Sequence, residues 1–225
     1  MNIVLTILGV VILLAIVLLN TKVFEPKDKR KKYLQALAGF LEAKLGPIPD
    51  RGNSYQIRFS YRGKEFVYED VEDRLQKSCI YNAYLKVPTA SKLKIDFTER
   101  PRTTIRANVQ TLNDIKTPWA RDAEKVILPP ELQEYTVYTN DNLKTNKLLA
   151  NDKIIKIFAR FKNMTSLGHP HMSLEVMDGS VILTFHPPGE LKPTWGDLQN
   201  NASLIEGYID QLNVLVEEIN ALEKK

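Results

Sequence analysis

The sequence predicts an α+β fold: an N-terminal transmembrane helix followed by a mostly antiparallel sheet packed by amphipathic helices. Three observations predict it. The run Ile3–Leu19, IVLTILGVVILLAIVLL, carries no charged side chain. Beyond it, apolar residues alternate in short runs punctuated by turn residues, the period-two mark of strands with one wet face. Between and after those runs, apolar residues recur at three and four, the period of helices with one apolar stripe.

The first element is the anchor. A helix of about 17 residues at 1.5 Å each nearly spans a hydrocarbon core of roughly 30 Å. A helix also satisfies its own backbone groups inside lipid. No Lys or Arg precedes the run and no small-x-small site follows it, so it reads as a retained anchor rather than a cleaved signal. Between 20 and 32 stand Lys22, Lys27, Lys29, Arg30, Lys31 and Lys32 against Glu25 and Asp28, which accounts for the whole net charge of +4. Basic flanks stay cytoplasmic, which predicts the N-terminus outside and the C-terminal domain in the cytoplasm. The six bases are also the expected contacts with anionic headgroups. The expected division is an anchor over 1–20, a basic juxtamembrane linker over 21–32 and a soluble domain over 33–225.

Residues 29–45 read as a helix, with Tyr33, Leu34, Leu37, Phe40, Leu41 and Leu45 on one face and Gly46-Pro47 as its stop. Tyr55, Ile57, Phe59 and Tyr61, then Arg62-Gly63, then Phe66 and Tyr68 read as a β-hairpin. The strand Cys79 to Val87 ends at Pro88, and Leu93, Ile95 and Phe97 form its expected partner strand. Residues 99–130 are the least patterned; weak strands are expected near 103–109 and 125–128. Tyr135–Tyr138 is a short strand. Asn140, Asp141 and Asn142 supply capping chemistry for helices over 143–149 and 153–161, with a break at Asn151-Asp152. Met172 to Phe185 is a second hairpin around Asp178-Gly179, the strongest turn signal in the chain. The last helix is expected from about Asn201, with Ser203 and Glu206 as a capping box. Its residues Ile205, Tyr208, Leu212, Leu215, Ile219 and Leu222 follow heptad spacing, which fits packing on the sheet or pairing with a second copy.

Charge narrows the function classes. The chain has 31 basic and 27 acidic residues, so with six and two of them before Tyr33, the remainder holds 25 of each. A formally neutral domain lacks the excess positive charge that nucleic-acid binding requires, and no nucleic-acid partner is expected. The single cysteine, Cys79, forbids an internal disulfide. It alternates with core residues and reads as a small buried hydrophobe rather than a nucleophile.

No catalytic motif stands out. There is no Walker loop, no Gly-x-Gly-x-x-Gly, no Gly-x-Ser-x-Gly elbow and no His-Glu-x-x-His helix. His169, His171 and His186 are weak metal candidates, because two imidazoles two residues apart can face one ion and the third lies across the hairpin. No acidic or cysteine ligand has matching spacing, so no cofactor is expected. Glu69/Asp70 and Glu72/Asp73 read as a solvated acidic turn. Trp119 and Trp195 fall in loop contexts, where tryptophan can anchor a partner. The sequons at Asn163 and Asn201 are silent in a cytoplasmic domain.

Tyr135-Thr-Val-Tyr-Thr-Asn-Asp141, Leu148-Leu149 and the Asp178-Gly179 hairpin resemble, in layout, uncharacterised membrane-anchored proteins with an α+β domain of unknown function. The resemblance implies architecture and no activity. The expected function is a membrane-tethered, non-enzymatic interaction or scaffold module with a protein partner. The alternatives are an enzyme acting on a membrane-proximal substrate and an envelope component with an extracytoplasmic domain.

Overall fold

The computed structural model describes residues 25–75, 78–99, 124–133, 135–165, 173–185 and 195–224. Among these, nine strands form one sheet and four α-helices accompany it. In chain order the elements are α1 (Glu25–Phe40), β1 (Lys44–Pro47), β2 (Tyr55–Tyr61), β3 (Lys64–Leu75), β4 (Ser78–Pro88), β5 (Ile95–Glu99) and β6 (Glu124–Lys125). A 3₁₀ turn (Pro130–Leu132) precedes β7 (Tyr135–Thr139), α2 (Asn142–Leu149), α3 (Asp152–Thr165), β8 (Ser173–Met177), β9 (Ser180–Phe185) and α4 (Trp195–Glu223). The α+β class with an antiparallel sheet is as the periodicities predict. Among the described residues no helix is long and apolar enough to cross a membrane. The expected anchor at Ile3–Leu19 lies outside them.

The strand order is β1-β2-β3-β4-β9-β8-β5-β7-β6, and every pairing is antiparallel. Directly opposed residues share a face. The register therefore places Ile57, Tyr68, Leu85, Leu183, Leu174, Phe97 and Val137 in one row across the sheet, and all are buried. The helices cover this face. Phe158 of α3 stacks on Phe97 at 4.0 Å between ring centres, and Tyr208 of α4 meets Phe185 at 4.9 Å. Each large apolar side chain buried here contributes about 1.5–3 kcal/mol. On the opposite face Arg58 and Ser60 are exposed, while Val67, Glu69, Tyr84, Lys86 and Ile182 are half-buried. Lys86 pairs there with Glu69 at 2.8 Å.

Several expectations are corrected. The first helix ends at Phe40, and Leu45 belongs to β1. The apolar spacing runs on past the true end because β1 also buries part of its length. A Schellman cap stops the helix: Ala43 N–H donates to Ala38 C=O at 2.8 Å and Glu42 N–H to Gly39 C=O at 3.2 Å, with Glu42 at φ 51°. The expected linker over 21–32 is helical from Glu25 onward. The strand β5 does not pair with β4. The hairpin β8–β9 lies between them, and Thr89 N–H donates to Gly179 C=O at 2.8 Å where the connection passes its turn. The last helix begins at Trp195, so Ser203 and Glu206 sit inside it and form no capping box. Trp195 is accordingly a helix residue and not a loop residue. Asp141 is the expected N-cap of α2, accepting from Lys144 N–H at 3.0 Å. Asn151 breaks the helix pair as expected, its side chain accepting from Lys153 N–H at 3.0 Å.

Candidate functional site

The described residues place their most buried charge under α1. Asp70 lies on the inner face of β3, two residues beyond Tyr68, and is 0 % exposed. Such a carboxylate needs a cationic partner or must give up its charge. The partner is Arg30, whose Nε donates to Oδ1 at 2.8 Å while its terminal nitrogen donates to Oδ2. The guanidinium and carboxylate thus meet in the two-pronged geometry that arginine favours. Arg30 itself is only 14 % exposed.

Burial raises the Asp70 carboxyl above its ordinary value, while Arg30 and the Tyr68 hydroxyl oppose the shift by favouring the charged form. Burial, the Asp70 charge and neighbouring Tyr33 together push the Tyr68 phenol well above its usual range. Both carboxylate oxygens are engaged and shielded, so the group is poorly placed to exchange protons with a substrate. Its chemistry is that of a clamp, fastening the first described helix to an inner strand of the sheet.

A second polar line runs along α4. Asp210 accepts from the Tyr61 hydroxyl at 2.6 Å and pairs with Arg62 at 3.2 Å. Asn213 and Glu217 accept from Lys64 Nζ at 2.5 and 3.0 Å. Asn220 accepts from the Thr89 hydroxyl at 2.7 Å and from Ala90 N–H at 3.1 Å. Glu223 accepts from Ser91 Oγ at 2.6 Å, Lys92 N–H at 3.2 Å and Lys144 Nζ at 2.7 Å. These donors, Lys144 first, hold the Glu223 carboxyl down at about 2, and Glu223 in turn raises the Lys144 ammonium. Burial pushes the Tyr208 phenol up to about 12. The helix therefore ties the β2–β3 turn at one point and the β4–β5 connection at another.

The residues singled out from sequence distribute as follows. Arg30, expected at the lipid surface, is turned into the domain because it shares a helix face with Tyr33, Leu34 and Leu37. Lys31 and Lys32 are exposed on α1, Lys27 and Lys29 lie on the same helix, and Lys22 lies outside the described residues. The expected acidic turn is strand: Glu69, Asp70, Glu72 and Asp73 all belong to β3, where alternation sends Asp70 inward. Cys79 is on β4, and Asn163 and Asn201 are on α3 and α4. His169, His171, His186 and Trp119 lie outside the described residues. Among the described residues no three His, Cys, Asp or Glu side chains form a group able to hold a metal ion.

The Arg30–Asp70 clamp was missed in the sequence, although two signals point to it. The alternation Phe66, Tyr68, Asp70 puts the acid in the inner register, and the spacing of Arg30, Tyr33, Leu34 and Leu37 puts the base on the apolar stripe. The stripe on α4 that offered itself for pairing with a second copy is buried within the domain at Ile205, Tyr208, Leu212, Leu215 and Ile219. Compared with known proteins, the chain matches no family model, no curated protein and no solved structure.

Proposed function

We propose that the chain is a membrane-tethered, non-enzymatic interaction module. Ile3–Leu19 is its single-pass anchor, and the bases from Lys22 to Lys32 keep the domain on the cytoplasmic side. The domain presents its surface to a protein partner, with Trp119 and Trp195 among the contacts. Tethering raises the local concentration of the module, so modest affinity suffices.

The observation that carries this reading is the uncharged run Ile3–Leu19, followed at once by six basic residues. The clamp supports it. A helix that starts only a few residues beyond that run, locked to the sheet through Arg30 and Asp70, holds the domain close to its anchor.

Two measurements test the reading. Reporter fusions at the C-terminus should be active only for the reporter that works in the cytoplasm. Crosslinking in native membranes followed by capture should recover a discrete protein partner. Turnover of a substrate by the purified chain, with no partner recovered, overturns the module.

A further inference from the structure

We infer that the outer face of the sheet is a docking surface for a second copy of this chain, the two sheets packing face to face about a two-fold axis that runs along β4. The inference goes beyond the tethered module and stands on the described strands alone.

The register carries it. One outward-facing row crosses the sheet through Lys86 of β4. On one side of Lys86 it continues through Val67, Arg58 and Lys44. On the other side it continues through Ile182, Glu175 and Asp96. Each half thus steps from an aliphatic residue to two charges, basic in one half and acidic in the other. A half-turn about an axis parallel to the strands keeps their direction and reverses their order. Centred on β4, it sets Val67 against the second copy's Ile182 and Arg58 against its Glu175. Each contact then occurs twice, as an isologous interface requires.

The residues concerned are in reach of a partner. Phe158 of α3 and Tyr208 of α4 pack on the opposite face. Arg58 is exposed, and Val67, Tyr84, Lys86, Ile182 and Glu175 are half-buried. The Arg58 guanidinium donates to Gln56 Oε1 at 3.1 and 3.3 Å and meets no carboxylate among the described residues. The second copy's Glu175 supplies one. A carboxylate has about four lone-pair sites, so it accepts Arg58 beside any contact it already makes. Opposed charges of this kind fix the register of an interface and exclude others.

The axis itself is compatible with close approach. The adjoining row sets Tyr84 against the second copy's Tyr84, an aromatic pair on the two-fold. Lys86 also faces its own copy, and its charge is already matched by Glu69 at 2.8 Å. Asp96 is itself buried, so the contact ends at β8. The five strands β2, β3, β4, β9 and β8, at about 4.8 Å each and roughly 20 Å of outward rows, cover about 480 Å² per copy. Two copies bury about 1,000 Å², which suits a weak, reversible dimer.

The test uses the full chain in micelles of a density-matched detergent, read by sedimentation equilibrium. The unmodified chain should be a concentration-dependent dimer. Arg58→Glu sets two carboxylates against each other at both contacts, and Glu175→Arg sets two guanidinium groups against each other. Each should raise the dimer Kd about tenfold or more. Mixed in equal amounts, the two variants should recover the dimer, because each offers the charge the other lacks. Near-ultraviolet circular dichroism matching the unmodified chain establishes that each variant is folded. Where Glu175→Arg lacks that spectrum, Arg58→Glu decides alone, since Arg58 is exposed. Three results overturn the inference: an unmodified chain that is monomeric at every concentration, an Arg58→Glu dimer as tight as the unmodified one, or a mixture of the two folded variants that stays monomeric.

Discussion

Glu42 ends α1 in the left-handed region at φ 51°, a conformation that glycine adopts without penalty and an L side chain does not. Glu42→Gly should therefore stabilise the domain by about 0.5–1 kcal/mol, once the looser unfolded chain is allowed for. A higher urea midpoint with an unchanged slope would show it. Asp70 carries a larger and opposite sensitivity. Removing one partner of a buried pair strands the other charge, so Asp70→Ala should cost about 3–5 kcal/mol, nearer the lower end if the Arg30 side chain can reach water. Replacing both, as Arg30→Met with Asp70→Leu, should restore most of that loss, because the desolvation of two ions goes with them. If the double variant is no more stable than the single, the pair does not act as a clamp. This pair is half legible in the sequence. Alternation along β3 assigns Asp70 inward, and helical spacing assigns Arg30 to the apolar stripe. Two adjacent acids nevertheless read first as surface. Nothing local states that this helix face lies over that strand, because the contact joins residues 40 positions apart.

The helix α4 shows the same division at the level of an element. Its apolar stripe is plain in the spacing of Ile205, Tyr208, Leu212, Leu215 and Ile219, and all five are buried. Its start is not plain. Ser203 and Glu206 look like a capping box, yet the helix begins at Trp195 and runs through them. The polar stripe of Asp210, Asn213, Glu217, Asn220 and Glu223 is equally regular, but its purpose depends on loops that only the tertiary fold brings near. Glu223 gives it a measurable consequence. Its carboxyl is lowered in the folded chain from about 4.5 to about 2. The stabilisation is thus present above the unfolded value and lost as pH falls through the folded one. Its partner Lys144 is raised, so that contribution is lost only when pH climbs past the lysine range. Glu223→Gln should lower stability at neutral pH and make the acid limb between about pH 4.5 and 2 shallower. Thermal midpoints across that range check it. An unchanged acid limb would mean that the Lys144 and Ser91 contacts contribute nothing in solution.

At the scale of the molecule, the strand order is what local pattern cannot supply. Each strand from β2 to β5 is visible as alternation, and adjacency in sequence makes β4 and β5 look like partners. The hairpin β8–β9 instead enters between them from nearly a hundred residues downstream, and Tyr208 of the last helix packs there on Phe185. The connection over 89–94 is shaped to let it in: Thr89 bonds the Asp178-Gly179 turn, while Ser91 and Lys92 bond Glu223. The pairings β4–β9 and β5–β8 join strands far apart in sequence, and non-local pairings of this kind fold slowly. The helix α4 also covers the middle of the inner face, where Ile205, Tyr208, Leu212, Leu215, Val216 and Ile219 are buried. At about 1.5–3 kcal/mol each, their burial rivals the roughly 5–15 kcal/mol net stability of a whole domain. A chain ended at residue 194 should consequently lose its cooperative transition rather than shift it. Urea titration followed by near-ultraviolet circular dichroism should show a gradual change with no tertiary signal from the aromatic cluster around Tyr68 and Phe185. A sharp transition at lower midpoint would instead mean that the sheet and α1–α3 form a unit by themselves, and that α4 is an accessory to the fold and not its closure.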